Sequence, residues 1–154
     1  MRRIASFSVN HDKIGEGIYI SRIDGDITTY DMRMRKPNMG DYIDNLTIHS
    51  LEHMFATYIR NSNIGENVIY FGPMGCRTGF YLILAGDLES RDIIPLMQEM
   101  YQFIANFEGE IPGASAKDCG NYLDMNLPMA KFLARKYLIE ILNNISENRL
   151  TYPL

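Results

Sequence analysis

The sequence predicts an α+β fold: a single domain, residues 1–154, in which an antiparallel sheet of about four strands or more packs against about three main helices. Three observations predict it. Four short strand-like runs are present, joined in pairs by turn residues rather than by helical crossovers. Three longer stretches place apolar residues at three- and four-residue steps. No internal repeat, low-complexity tract or linker divides the chain.

The first strand run is "EGIYISRI", Glu16 to Ile23, and the second is "ITTYDMRM", Ile27 to Met34. Asp24-Gly25 lies between them, a hairpin signal. The second run alternates Thr, Tyr, Met and Met with more polar neighbours, as a half-buried strand does. Pro37, Asn38 and Gly40 then break the pattern. In "LTIHSLEHMFATYIRN", Leu46 to Asn61, the residues Ile48, Leu51, Phe55 and Ile59 mark one helical stripe, with Asn45 or Thr47 as the expected cap. The runs "NVIYFG" and "GFYLILAG" read as a second strand pair joined by "PMGCRT". Ser90 is the expected cap of a second helix, whose stripe is Ile93, Ile94, Met97, Tyr101 and Ile104. Glu108 to Tyr122 is rich in turn formers. A last helix is expected from near Asn126, with Pro128 in its first turn, through Leu133, Tyr137, Leu138, Ile141 and Leu142.

Charge and hydropathy exclude some classes of function. The chain has 15 basic and 19 acidic side chains, and no run of Lys or Arg forms a stripe, so a nucleic-acid partner is not expected. After Arg2-Arg3 only the short "IASFSV" follows, too brief for a secretory h-region. The longest apolar run, "FYLILAG", is far below the ~18 residues that span a bilayer, so no membrane partner is expected either. A cytoplasmic location is therefore expected, in which Cys76 and Cys119 stay reduced and free for metal or catalytic roles.

Two of the three histidines, His49 and His53, fall on the first helix with Glu52 between them. At about 100° per residue they lie about 40° apart on one face, so two imidazoles on adjacent turns can converge on one ion. Glu52, on the neighbouring edge, can stand near that ion without ligating it and move protons. The bland alternative is a solvated pair flanking an apolar stripe. A metal site needs a third ligand, and either cysteine could complete a His/His/Cys set with one open position, as in a catalytic ion site. Cys76 lies in the glycine-rich "GPMGCRTG". Cys119 lies in "KDCGNY", where Gly120 lets backbone come close to a ligand. Spacing does not say which cysteine binds; the other would be a candidate acid/base.

Taken in order, "SF" at Ser6-Phe7 with His11, "YDMRMRKPN", "TIHSLEH", Arg60, "PMGCRTGFYL" and "KDCG" resemble the S-ribosylhomocysteine lyase (LuxS) family over nearly the whole chain. The resemblance implies that His49, His53 and Cys119 hold the metal and that Glu52 and Cys76 are the two general acid/bases. It implies Arg33 near the Cys76 thiolate, Ser6 and His11 lining the substrate pocket, and Arg60 facing the homocysteine end. It further implies a homodimer with pockets at the subunit interface, in which Ser6, His11 and Arg33 act in trans, and one divalent ion per subunit: Fe²⁺ in the cell, with Zn²⁺ or Co²⁺ able to substitute. Tyr70 stands where the family usually carries an acidic residue.

The implied reaction splits S-ribosylhomocysteine into homocysteine and 4,5-dihydroxy-2,3-pentanedione, the precursor of autoinducer-2. Two aldose–ketose shifts bring a carbonyl next to an acidic C–H bond, and β-elimination then expels the thioether. Each shift passes through an enediolate and needs one group that takes a proton from one carbon and returns it to the next. A thiol suits this work when a nearby cation favours its thiolate. Two other readings fit parts of the motif: a small metallopeptidase using the inverted H-x-x-E-H order, and a structural metal-binding domain closed by four protein ligands.

Overall fold

Alternating apolar side chains build the sheet as expected. The computed structural model describes residues 1–154, with strands β1 (Gly17–Asp24), β2 (Ile27–Arg33), β3 (Val68–Pro73) and β4 (Gly79–Ala85), and helices α1 (Asn45–Arg60), α2 (Ser90–Ala105) and α3 (Leu127–Glu140). All strand pairs are antiparallel, in the order β1-β2-β4-β3. This is the α+β architecture read from the sequence. The β1–β2 hairpin turns on Gly25 at φ 62°, a left-handed conformation that glycine adopts without steric cost.

Register decides what the sheet buries. Met32 pairs with Phe80, Tyr30 with Leu82 and Thr28 with Leu84, so one face of β2 and β4 carries a row of buried side chains. Ile18 from β1 and Phe71 from β3 extend that row. The three helices cover it with Leu51, Met54 and Phe55, with Met97, Met100 and Tyr101, and with Leu133 and Tyr137. Phe55 sits at the centre, its ring 5.3 Å from Phe71, 5.1 Å from Phe80 and 4.8 Å from Tyr101 between centroids. Such clustered aromatic pairs add to the gain from area burial.

Caps set the helix starts, and two differ from expectation. Asp44, not Asn45 or Thr47, caps α1, accepting from Thr47 N at 3.0 Å and from Thr47 Oγ1 at 2.7 Å. Desolvation would raise the Asp44 pKa, but these Thr47 donors outweigh it and lower it. On α2 the cap is Glu89, reciprocated by Asp92 in a capping box. Ser90 is instead the first helical residue, and its buried hydroxyl has no partner. The α3 start matches the reading: Asn126 accepts from Met129 N at 3.1 Å, with Pro128 in the first turn. α3 stops at Glu140, and Leu142 continues the stripe from a 3-10 turn, still buried. Residues 106–126 form no helix or strand, in line with their turn-rich composition. No helix is long and apolar enough to cross a membrane.

Phe55→Ala removes the ring that joins helices to sheet. It should lower the unfolding free energy by about 3–5 kcal/mol, read from the urea midpoint at unchanged slope. A loss below about 1 kcal/mol would mean that the ring is not packed at the centre of the core.

Candidate metal centre

Helical spacing brings His49 and His53 together, with ring centroids 4.7 Å apart and planes at 79°. The third donor comes from the turn-rich segment between α2 and α3. Cys119 Sγ lies 3.4 Å from His49 Nε2, and ligand atoms of His49, His53 and Cys119 all lie within 4.8 Å of one another. The His49–Cys119 separation is close to the ~3.5 Å edge of a tetrahedron built with nitrogen and sulfur bonds of about 2.0 and 2.3 Å. The spacing argument left two cysteines open; the geometry selects Cys119.

The outer atoms of both rings are fixed by backbone carbonyls. His49 Nδ1 is 3.0 Å from the Asp124 carbonyl, and His53 Nδ1 is 2.9 Å from the Pro112 carbonyl. A carbonyl only accepts, so each Nδ1 carries the proton and each Nε2 keeps a lone pair for the cluster. The Asp124 carboxylate, 3.4 Å from His49 Nδ1, reinforces that tautomer. Asn121 N–H donates to Cys119 Sγ at 3.4 Å, a contact that helps to hold the sulfur in place. All three residues are half-buried. This donor set fits a divalent transition ion and leaves a position open for a fourth group.

Close backbone approach makes this possible at Gly113. Its φ is 72°, and a Cβ there would stand 3.2 Å from His53 Nδ1. Glu52 is half-buried, one residue before His53.

A second cluster forms on the sheet. Arg33 is 2% exposed and Asp31 fully buried; Arg33 donates to Asp31 through Nε at 3.1 Å and Nη2 at 2.6 Å. Its remaining nitrogen, Nη1, donates to Thr78 Oγ1 at 2.8 Å, and Thr78 Oγ1 lies 3.0 Å from Cys76 Sγ. Burial alone would lower the Arg33 pKa, but the Asp31 hydrogen bonds and charge more than offset it and raise it. Cys76 itself is exposed, on the loop from β3 to β4. That loop is tied to the start of α1, where Ile43 N bonds the Arg77 carbonyl at 3.0 Å and Arg77 Nη1 reaches Asn45 Oδ1 at 3.5 Å. Asn45 is one turn before His49, so the Cys76 loop is anchored at the end of α1 from which the two histidines follow.

The chain matches the family model described as S-Ribosylhomocysteinase (LuxS) over residues 4–148. It belongs to that family. It is 57% identical over 158 residues to the S-ribosylhomocysteine lyase of Clostridium beijerinckii, covering 99% of both chains. It is 56% identical to the protein of that name from Clostridium acetobutylicum and 54% to that from Finegoldia magna, each again over 99% of both chains. The family read from "TIHSLEH", "PMGCRTGFYL" and "KDCG" is thus borne out.

Within this LuxS chain the other expected residues are more dispersed. Ser6 and His11 lie on the N-terminal segment, where His11 Nδ1 bonds the Val9 carbonyl at 2.9 Å. Arg60 is exposed at the last residue of α1, and Gly120 is exposed beside Cys119. No hydrogen bond joins Ser6, His11 or Arg60 to the His/His/Cys trio. Tyr70 is 50% exposed on β3 and folds its hydroxyl over Gly72, where a Cβ would lie 2.1 Å from that oxygen. Sequence reasoning passed over Asp31, Thr78 and the carbonyls of Pro112 and Asp124. The first two had a signal: Asp31 stands two residues from Arg33 on the same face of β2, and Thr78 stands two residues from Cys76 in the turn before β4.

Gly113→Val adds a branched side chain at positive φ against His53. Zn²⁺ affinity, measured by competition with a chromophoric chelator, should fall roughly 10- to 100-fold, the usual cost of disturbing what orients a metal ligand. Wild-type affinity in that variant would show that the 112–113 backbone does not orient His53.

Proposed function

We propose that this protein is a metal-dependent S-ribosylhomocysteine lyase, splitting S-ribosylhomocysteine into homocysteine and 4,5-dihydroxy-2,3-pentanedione. The observation that carries the reading is the convergence of His49, His53 and Cys119 in a chain that matches the LuxS family over residues 4–148. The two products together contain every atom of the substrate. The reaction therefore needs proton transfers and one C–S cleavage, but neither water nor a redox partner.

His49, His53 and Cys119 would hold the ion, Fe²⁺ in the cell with Zn²⁺ or Co²⁺ as substitutes. When bound, it supplies a Lewis acid that polarises sugar oxygens. Cys76 takes a proton from one sugar carbon and returns it to its neighbour in the carbonyl shifts. Its sulfur lies 3.0 Å from the Thr78 hydroxyl, which is itself backed by the Arg33 guanidinium. Glu52, beside the metal ligands and outside any ion pair, serves the later transfers and the β-elimination of the thioether. Gly120 leaves room for substrate next to Cys119, and Ser6, His11 and Arg60 bind it at its two ends.

The single chain covers residues 1–154 as one domain, and the working unit is a homodimer in the cytoplasm. A dimer accounts for the position of Ser6 and His11: on an N-terminal segment that is not bonded to its own metal centre, they serve the pocket of the partner. The product is offered to quorum-sensing signalling, and the homocysteine returns to the activated methyl cycle.

The peptidase and structural-site readings are less well supported. A structural ion would take both cysteines as ligands, whereas Cys76 bonds Thr78 and is exposed. Thiol titration of metal-loaded protein should find one reactive cysteine.

The deciding experiment is anaerobic purification, metal analysis and assay of free-thiol release from S-ribosylhomocysteine and from peptides. Homocysteine release that a chelator abolishes and Fe²⁺ restores is the expected result. Peptide cleavage without it would overturn the reading. Cys76→Ala and Glu52→Gln should each fold and retain metal but lose ~10²–10⁴ in turnover, the usual worth of a general acid/base. Near-normal activity in either variant removes that residue from the scheme.

A further inference from the structure

The buried Asp31–Arg33 pair has a third partner that the reaction does not require. Tyr152, in the C-terminal segment, donates its hydroxyl to Asp31 Oδ2 at 2.7 Å. Its ring stacks on Tyr19 at 5.0 Å between centroids, with planes at 23°. Burial and the Asp31 charge both push the Tyr152 phenol up, so it stays protonated and remains a donor.

A continuous chain of polar contacts follows: Tyr152 to Asp31, Asp31 to Arg33, Arg33 to Thr78, Thr78 to Cys76. Arg33 has only donors, so Thr78 Oγ1 accepts from it, and whenever Cys76 is a thiolate the one Thr78 proton is donated to the sulfur. A hydroxyl that accepts from a cation is a stronger donor in turn. We propose that Tyr152 is a positioning residue for Cys76, its hydroxyl sharing the Asp31 carboxylate so that the Arg33 guanidinium stays seated against Thr78, beside the Cys76 sulfur.

The sign of the effect follows from the charges. Without the phenol proton, the full Asp31 charge falls on Arg33 and draws it away from Thr78. The thiolate then loses support. The charged and titratable groups that face Cys76 are Arg33 on β2, Tyr81 on β4 and the adjacent Arg77, with Asp31 and Tyr152 behind Arg33. Of these, Tyr152 alone acts on the thiol only through others and lies outside the sheet and its loops.

The proposal rests on the reading of Cys76 as an acid/base, and its test is chosen to be separable from that reading. Metal-loaded full-length protein is treated with iodoacetamide at neutral pH, and labelling of Cys76 is followed by mass spectrometry. Tyr152→Phe keeps the ring on Tyr19 and removes only the hydroxyl. Labelling should slow about threefold or more, the weight of one hydrogen bond. At a pH where every thiol is ionised the two proteins should label equally. Tyr152→Ala should label like Tyr152→Phe while losing further thermal stability. A smaller change in Tyr152→Phe, slow labelling confined to Tyr152→Ala, or a difference that persists at high pH would each overturn the proposal, since they reduce Tyr152 to packing or access. Labelling needs no turnover, so an active Cys76→Ala variant would refute the acid/base role and leave this link standing.

Discussion

Two hydrogen bonds from imidazole N–H groups to distant carbonyls hold the candidate metal centre together. The helix by itself supplies only a pair of rings on adjacent turns. The segment that brings Cys119 has no regular structure, so its position must come from specific contacts. His53 to the Pro112 carbonyl and His49 to the Asp124 carbonyl provide two of them, one on each side of Cys119. Asn126 N–H to Ser50 Oγ, at 2.8 Å, pins the same segment to α1 again. These bonds orient the rings, fix their tautomers and place the thiol, three requirements met by one set of contacts.

The second cluster obeys a different constraint, the cost of burying charge. A guanidinium taken out of water is tolerated only when its donors are matched. Arg33 places two donors on Asp31 and one on Thr78, and Tyr152 takes up a further lone pair of the carboxylate. The sheet makes the arrangement rigid, since Asp31 and Arg33 are two apart on β2 and Arg33 pairs in register with Gly79, next to Thr78. At Gly79 a Cβ would lie 2.3 Å from the Met32 carbonyl oxygen, so only glycine allows the strands to approach that closely.

The parts that were legible in the sequence were periodic or local. The α1 stripe and the strand alternation gave the elements, and the four-residue step gave the shared face of His49 and His53. Cap identity was less legible, because Asp44 and Glu89 sit one residue before the positions that the apolar pattern marks. The choice of Cys119 over Cys76 was not legible from spacing, since it depends on how an irregular segment of some length folds back across α1. It required either a known family or coordinates. Arg33 reads as a solvated strand residue until its face is known to be covered by Tyr152, more than a hundred positions away. Nothing local to either residue encodes that contact.

This separation of causes bears on how the thiol cluster is interpreted. Arg33 serves two ends: it completes a buried ion pair, and it supports the Thr78 hydroxyl beside Cys76. Removing it would strand the Asp31 carboxylate in the interior, a cost of several kcal/mol that falls on folding before any chemistry is read. Thr78 carries the link to the sulfur, but it is also the acceptor for the buried Arg33 Nη1, so its loss would leave that donor unpaired. Loss of function at Arg33 or Thr78 therefore mixes stability with catalysis, whereas loss of the Tyr152 hydroxyl leaves every Arg33 acceptor in place and isolates the support given to the sulfur. The physical meaning of the cluster lies in that relay, a buried cation that donates from Nη1 to the hydroxyl next to a solvent-facing sulfur.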